Sequence, residues 1–197
     1  MSEKKNKNIG IIGYGQIGVS LCEMLSRNSE SSIGVNCVLE NDPGKKIQIP
    51  TGLVRQTLDE LLVPDVDLVV EAAHPKVVAT FGEQILKKKN LLIMSISALG
   101  DPDLERRLRS TALKNGTKLY IPHGATLGLD GLRDGLSIWE EVAITMRKNP
   151  QNLNFEASPS LKPAEDAAVT VLYDGPTRGV LALFPKNVNS HATLALA

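Results

Sequence analysis

Three glycines, Gly13, Gly15 and Gly18, interrupt the apolar run IGIIGYGQIGVSL between Ile9 and Leu21. Glycine at this spacing permits a tight turn, lets backbone come close to a ligand and lets the next helix pack against the strand before it. The chemistry this suits is receipt of a dinucleotide's pyrophosphate by backbone N–H groups at a helix N-terminus. A carboxylate at the end of the following strand, about twenty residues past the last glycine, would accept bonds from the adenosine ribose hydroxyls, and Glu40 stands there. A carboxylate disfavours a 2′-phosphate, whereas Lys45 and Lys46 lie close enough in sequence to pair with one, so NAD is favoured and NADP stays open.

Further polar groups fall where strands end. In VVEAAHP, small Ala72 and Ala73 leave room and His74 offers a donor to a phosphate or substrate, or a cap for the helix that follows. MSISALGD repeats the design with Ser95, Ser97 and Ala98, which bring hydroxyls and little bulk toward a nicotinamide, unless Ser97 simply turns the chain. IPHGATLGLDGL joins His123 to a glycine-rich segment and makes it a substrate-contact candidate. FPKNVNSH gathers Lys186, Asn187, Asn189 and His191. Arg147, Lys148, Arg178 and Lys186 are the cations that could meet substrate carboxylates.

These residues need a frame that brings strand ends together. Strand-like runs (NIGIIG, Gly34–Glu40, VDLVVEAA, NLLIMSI, TKLYIP) alternate with helical patterns over about residues 16–27, from Pro75 to a close at Lys87, Lys88 and Lys89, and from Pro102 to Gly116. That alternation implies βαβ units and a parallel sheet covered on both faces. Asp101 with Pro102 should start a helix, and Gly116 should stop it. From about Gly124 the texture shifts to SIWEEVAITMRK, AAVTVLYDG and GVLALFP, which read as strands of a mixed or antiparallel sheet. The expected division is a dinucleotide-binding domain over 1–123 and a smaller α/β domain over 124–197.

The 197 residues, 42% hydrophobic and 22% charged, suffice for a substantial core. The 22 basic and 22 acidic side chains balance, which gives no electrostatic reason to expect nucleic acid or an anionic membrane as partner. Two cysteines outside any metal-ligand spacing, and no apolar stretch long enough to cross a bilayer, suit a reduced cytoplasm without a metal.

Together these stretches resemble the L-aspartate dehydrogenase family, nearest to its animal branch. The motifs are VVEAAHPK, SISALGD, IPHGATLGLDGL, VLYDGP with RGV, and FPKNVN followed by ATLALA, in family order over nearly the whole chain. The resemblance implies a Rossmann domain followed by a smaller α/β domain that also forms a homodimer. It implies NAD(P)-dependent oxidation of a dicarboxylic amino acid, L-aspartate, to iminoaspartate, which yields oxaloacetate and ammonia or is passed on as the imine. By motif, Gly13, Gly15, Gln16, Ile17 and Gly18 would hold the pyrophosphate, with Ala125 and Asn189 near the nicotinamide. His123 stands where bacterial members commonly carry serine. The family's catalytic histidine would fall beyond residue 197, so the chain reads as C-terminally incomplete and the base as unassigned. A silent NAD(H)-binding protein, or a dehydrogenase of another amino or imino acid, would carry the same fingerprint.

Overall fold

The computed structural model describes residues 7–28, 31–161, 163 and 169–197. Its first part runs β1 (Lys7–Ile12), α1 (Gln16–Arg27), β2 (Ile33–Leu39), α2 (Pro43–Lys46), β3 (Val54–Arg55), α3 (Leu58–Leu61) and β4 (Leu68–Glu71). It continues with α4 (Pro75–Leu86), β5 (Asn90–Ile93), a 3₁₀ turn at Ile96–Gly100, α5 (Pro102–Asn115) and β6 (Leu119–Tyr120). The strands form one six-stranded sheet in the order β3-β2-β1-β4-β5-β6, every pair parallel. This is the doubly wound Rossmann order. The two-residue edge strand β3 is not among the strand-like runs expected from the sequence.

Alternation of side chains across the sheet divides the core. Ile9 and Ile11 of β1 and Val70 of β4 pack with Tyr14 and Cys22 on one face. Ile12 and Val69 pack on the other face with Leu61, Ile85 and Leu108. Strands buried on both faces are continuously apolar, which is why IGII and LVV show no polar alternation. Burial also raises the pKa of the Cys22 and Cys37 thiols, and both cysteines are free.

After β6 come α6 (Leu129–Asp134), a 3₁₀ turn at Pro150–Asn152, α7 (Gly179–Leu183) and α8 (Asn189–Leu196). Val180, Leu181, Phe184, Val188 and Ala192 form a third core cluster around Ile96, so this part docks on the turn that follows β5. The expected mixed sheet differs here. Among the described residues no strand follows β6, and residues 140–149 run without helix or strand. The strand expected at 167–175 begins with Ala167 and Ala168, which lie outside the described residues; Val169–Asp174 is likewise without regular structure. GVLALFP is a correction, because it forms helix α7 and not a strand. The reason is packing: Val180, Leu181 and Phe184 share one helical face against Ile96, and a Cβ on Gly100 would come within 2.9 Å of the Leu181 Cβ. Burial of that face outweighs the strand preference of the segment.

Candidate functional site

The strand order reverses between β1 and β4, so the chain leaves their C-terminal ends in opposite directions and opens a crevice there. Over it lie the 13–18 loop, Glu40, the 72–74 turn and the 95–98 turn.

The three glycines have different reasons to be glycine. Gly13 has φ +98°, and a Cβ on it would sit 2.8 Å from both the Ala72 carbonyl oxygen and the Ala73 Cβ. A Cβ on Gly18 would overlap the carbonyl oxygen of Gly13. Gly15 is in ordinary extended backbone (φ −82°, ψ −165°), and a Cβ there would meet nothing within 4 Å. Two of the glycines are therefore demanded by the fold, while the third faces open space.

That space adjoins the N-terminus of α1, which no side chain caps. The comparable helices differ: His74 Nδ1 accepts from the Lys76 N–H at 3.1 Å on α4, and Asp101 accepts from Asp103 and Leu104 on α5. The first N–H groups of α1, with the exposed side chains of Gln16 and Ile17 beside them, thus keep their donor capacity at the positive end of a helix. The donor set and the open space beside Gly15 fit a dinucleotide pyrophosphate.

Glu40 is more engaged than its place in the sequence suggests. Its Oε2 accepts from the Tyr14 N–H at 2.7 Å, and its Oε1 accepts from Asn41 at 2.7 Å and Asp42 at 2.9 Å. Burial opposes its charge, but these bonds from Asp42, Tyr14 and Asn41 and the nearby Lys45 outweigh it and hold the carboxyl below its ordinary range. With roughly four acceptor positions on a carboxylate, one on Oε2 stays open for a ribose hydroxyl. Lys46 is bonded to Gln56 at 2.8 Å.

Glu71 has no role in the reading from sequence, yet it organises the crevice. It is 1% exposed. Its Oε1 accepts from the N–H groups of Ala73 (2.9 Å) and His74 (2.8 Å) and from the Ser95 hydroxyl (2.9 Å), and its Oε2 accepts from the Ser95 N–H (3.0 Å). One carboxylate so ties the ends of β4 and β5 together. The available signal was a lone acid ending an apolar strand, since a buried carboxylate requires donors.

Other candidates take structural posts. His74 caps α4 through Nδ1, an acceptor there, which leaves Nε2 as the donor; burial, then Lys186 and Lys76, lower its pKa. The Ser97 hydroxyl donates to the Pro185 carbonyl, and its N–H donates to Asn189 Oδ1 at 3.1 Å. Asn189 in turn donates to the Met94 carbonyl at 3.1 Å, and Asn187 holds the Asn154 N–H and the Asn152 carbonyl. Ser97 and Asn189 are therefore ties between the end of β5 and the later segment, and Asn187 is a tie within that segment. Ala98 is packed in the core, and Ala72 turns its carbonyl toward Gly13. His123 and Ala125 are exposed beyond β6.

Of the four cations, Arg178 is corrected from substrate candidate to strut: it bonds the Leu99 carbonyl at 3.0 Å and Glu105 at 2.8 Å. Arg147 and Lys148 line a separate cleft of about 1110 Å³ with Tyr173 and His191. His191 is 9% exposed with Nδ1 unpartnered, and burial followed by Lys148 lowers its pKa. Lys186 follows Pro185, whose carbonyl the Ser97 hydroxyl holds, and is paired with Glu156 at 2.9 Å.

Comparison with known proteins supplies the name of this arrangement. Residues 13–122 match the family described as homoserine dehydrogenase, NAD binding domain, and residues 132–197 match aspartate dehydrogenase, C-terminal. An aspartate dehydrogenase domain-containing protein of Xenopus tropicalis is 33% identical over 100% of this chain and 71% of its own length. The chain belongs to the aspartate dehydrogenase family. An L-aspartate dehydrogenase of Methanosarcina barkeri is 33% identical over 96% of this chain and 73% of its own. The crystal structure of Thermotoga maritima aspartate dehydrogenase superposes with a TM-score of 0.65 at 26% identity, covering 96% of this chain and 73% of that one. This family member is a nicotinamide-dependent oxidoreductase on a Rossmann fold. Among the described residues no helix is long and apolar enough to cross a membrane.

Proposed function

We propose that the chain oxidises L-aspartate to iminoaspartate with NAD as hydride acceptor. What supports the substrate most is that the similarity runs past the nucleotide-binding domain, through residues 132–197, into relatives named L-aspartate dehydrogenase. A nicotinamide bound in the crevice would supply the acceptor for the hydride leaving the substrate Cα. The chain's own groups hold and orient: the N–H groups of Gln16, Ile17 and Gly18 receive the pyrophosphate beside Gly15, and Glu40 accepts from the ribose. Glu71 keeps the 72–74 turn and Ser95 in place at the ends of β4 and β5, where a nicotinamide would be received. The imine product hydrolyses to oxaloacetate and ammonia. In the same reading the protein is cytoplasmic, in keeping with its two free cysteines, and works as a homodimer, as the resemblance implies.

The test is NAD(P)H formation by the full-length protein with a panel of L- and D-aspartate, L-glutamate, L-alanine, L-asparagine and L-homoserine. The expected result is a kcat/KM for L-aspartate at least about tenfold above the others, a discrimination of about 1.4 kcal/mol. Preference for another amino acid would overturn the substrate. A second arm addresses NAD over NADP: Glu40→Ala should weaken NAD more than NADP, because it removes a ribose acceptor and a charge that repels the 2′-phosphate. Equal losses would reject Glu40 as the discriminating residue.

A further inference from the structure

A dicarboxylic substrate needs cations at the crevice, and the structure separates four sequence candidates into different surroundings. Arg178 is engaged with Glu105 and a backbone carbonyl, and Arg147 and Lys148 line a different cleft. Lys186 alone of the four follows a residue whose backbone is fastened to the turn after β5. The residue before it is held by the Ser97 hydroxyl on the Pro185 carbonyl. The residue after it is held by the Asn187 side chain, which bonds the backbone of Asn152 and Asn154. An exposed lysine on a backbone pinned at both neighbours is restricted in where its ammonium can reach.

Its present partner is a carboxylate of the same chain. Lys186 Nζ lies 2.9 Å from Glu156 Oε2. Glu156 belongs to the turn that Asn187 holds, since its N–H donates to Asn154 Oδ1 at 3.0 Å. The Glu156 side chain is 75% exposed, and a pair this open to solvent contributes little, so another carboxylate can displace it at small cost. His74 follows the end of β4: its Nδ1 is taken by the Lys76 N–H, which leaves Nε2 as donor, and Lys186 and Glu156 act on its titration in opposite directions, Lys186 lowering it and Glu156 raising it.

We infer that Lys186 receives one carboxylate of the dicarboxylic substrate, that His74 Nε2–H stands as the neighbouring donor, and that Glu156 holds the place of that carboxylate until substrate arrives. This deepens the proposed function and rests on it. Glu156 then acts as an internal competitor: it keeps Lys186 oriented and its carboxylate withdraws into solvent on binding. A charge-assisted bond of this kind supplies discrimination against amino acids with an uncharged side chain or a single carboxylate.

The experiment is calorimetric titration of succinate, a dicarboxylate that cannot react, into the NADH-loaded protein, with NADH affinity measured for every variant. Lys186→Met should weaken succinate about 10- to 100-fold, and Lys186→Arg should restore most of it. Glu156→Gln should tighten succinate by about threefold or more by removing the competitor. NADH affinity should stay within about twofold throughout, because none of these side chains belongs to the pyrophosphate cradle. Unchanged succinate affinity in Lys186→Met, or weakened affinity in Glu156→Gln, overturns the inference alone. Loss of NADH binding in Lys186→Met would make Lys186 a strut and also overturn it. A parent protein that binds NADH but no succinate would overturn the dicarboxylate reading of the substrate as well.

Discussion

Gly15 is the glycine of the first loop that the fold itself does not require, which makes it the cleanest probe of the ligand. Because its Cβ would meet nothing and its φ is ordinary, Gly15→Val should leave folding intact. It should weaken NADH at least about 100-fold in fluorescence titration, roughly 2.7 kcal/mol, by filling the space the pyrophosphate needs. A variant that binds NADH as the parent does would remove the assignment of this loop. Histidines supply a second test at this scale. His74 and His191 are both held below 6.5 in the folded chain, chiefly by burial, so the unfolded chain binds their protons more tightly. The stability tied to their neutral forms is complete above 6.5 and is lost as pH falls through that value toward the folded ones. Urea midpoints should decline between about pH 7.5 and about pH 5.5, and His191→Leu should flatten part of that decline. A parent midpoint that rises over this range would contradict it. The glycines and Glu40 were legible in the sequence as a pattern. The four bonds on Glu71 were not, because the donors come from two strand ends that meet only in the sheet.

Among the elements, α5 carries its boundaries in its sequence. Asp101 accepts from Asp103 and Leu104, Pro102 takes the first helical position, and Gly116 closes the helix at φ +65°. Asp101→Ala should cost about 1 kcal/mol in chemical denaturation, the usual cost of losing such a cap. Recovery with Asp101→Ser would assign the loss to the cap, and an unchanged midpoint in the alanine variant would reject it. The spans of α1 and α4 were equally readable, since apolar residues recur at helical spacing on one face and polar ones on the other. α7 was not, because five residues are too few to show a helical period and Val180 and Leu181 suit a strand as well. Ile96 and Gly100, some eighty positions earlier, decide it by offering a surface that fits one helical face.

Across the whole molecule, the later segment is joined to the sheet by a few long-range ties. Arg178 reaches Glu105 at 2.8 Å and the Leu99 carbonyl at 3.0 Å, beside the third core cluster. Opposed by burial, the bonds from Arg178 and Arg109 hold the Glu105 carboxyl below its ordinary range. Arg178→Ala should cost about 1–2 kcal/mol, from the bonds lost at a partly exposed site. Amide exchange should quicken about 5- to 30-fold in α7 and α8 while β1 and β4 stay protected. Uniform acceleration across the sheet would mean that Arg178 supports the Rossmann unit itself and does not act as a local latch. The sheet draws all six of its strands from residues up to Tyr120, and the Ser97–Asn189 bond is one of the ties that hold the later segment against it.

What the sequence determined by itself was whatever depends on near neighbours. Glycine spacing, strand and helix period, and caps act within a few residues, so the parallel sheet, the crevice and the dinucleotide loop could be read directly. Tertiary structure decided what each polar side chain does. Ser97 and Asn189 are 92 positions apart and Met94 and Asn189 are 95 apart, and nothing in the chain order of VNS or SIS announces that they bond. The same holds for Lys186: its difference from Arg178 lies in what surrounds each cation in space. A side chain's chemistry is set by the donors and charges within about 3 Å of it, and those arrive from segments that only folding brings together.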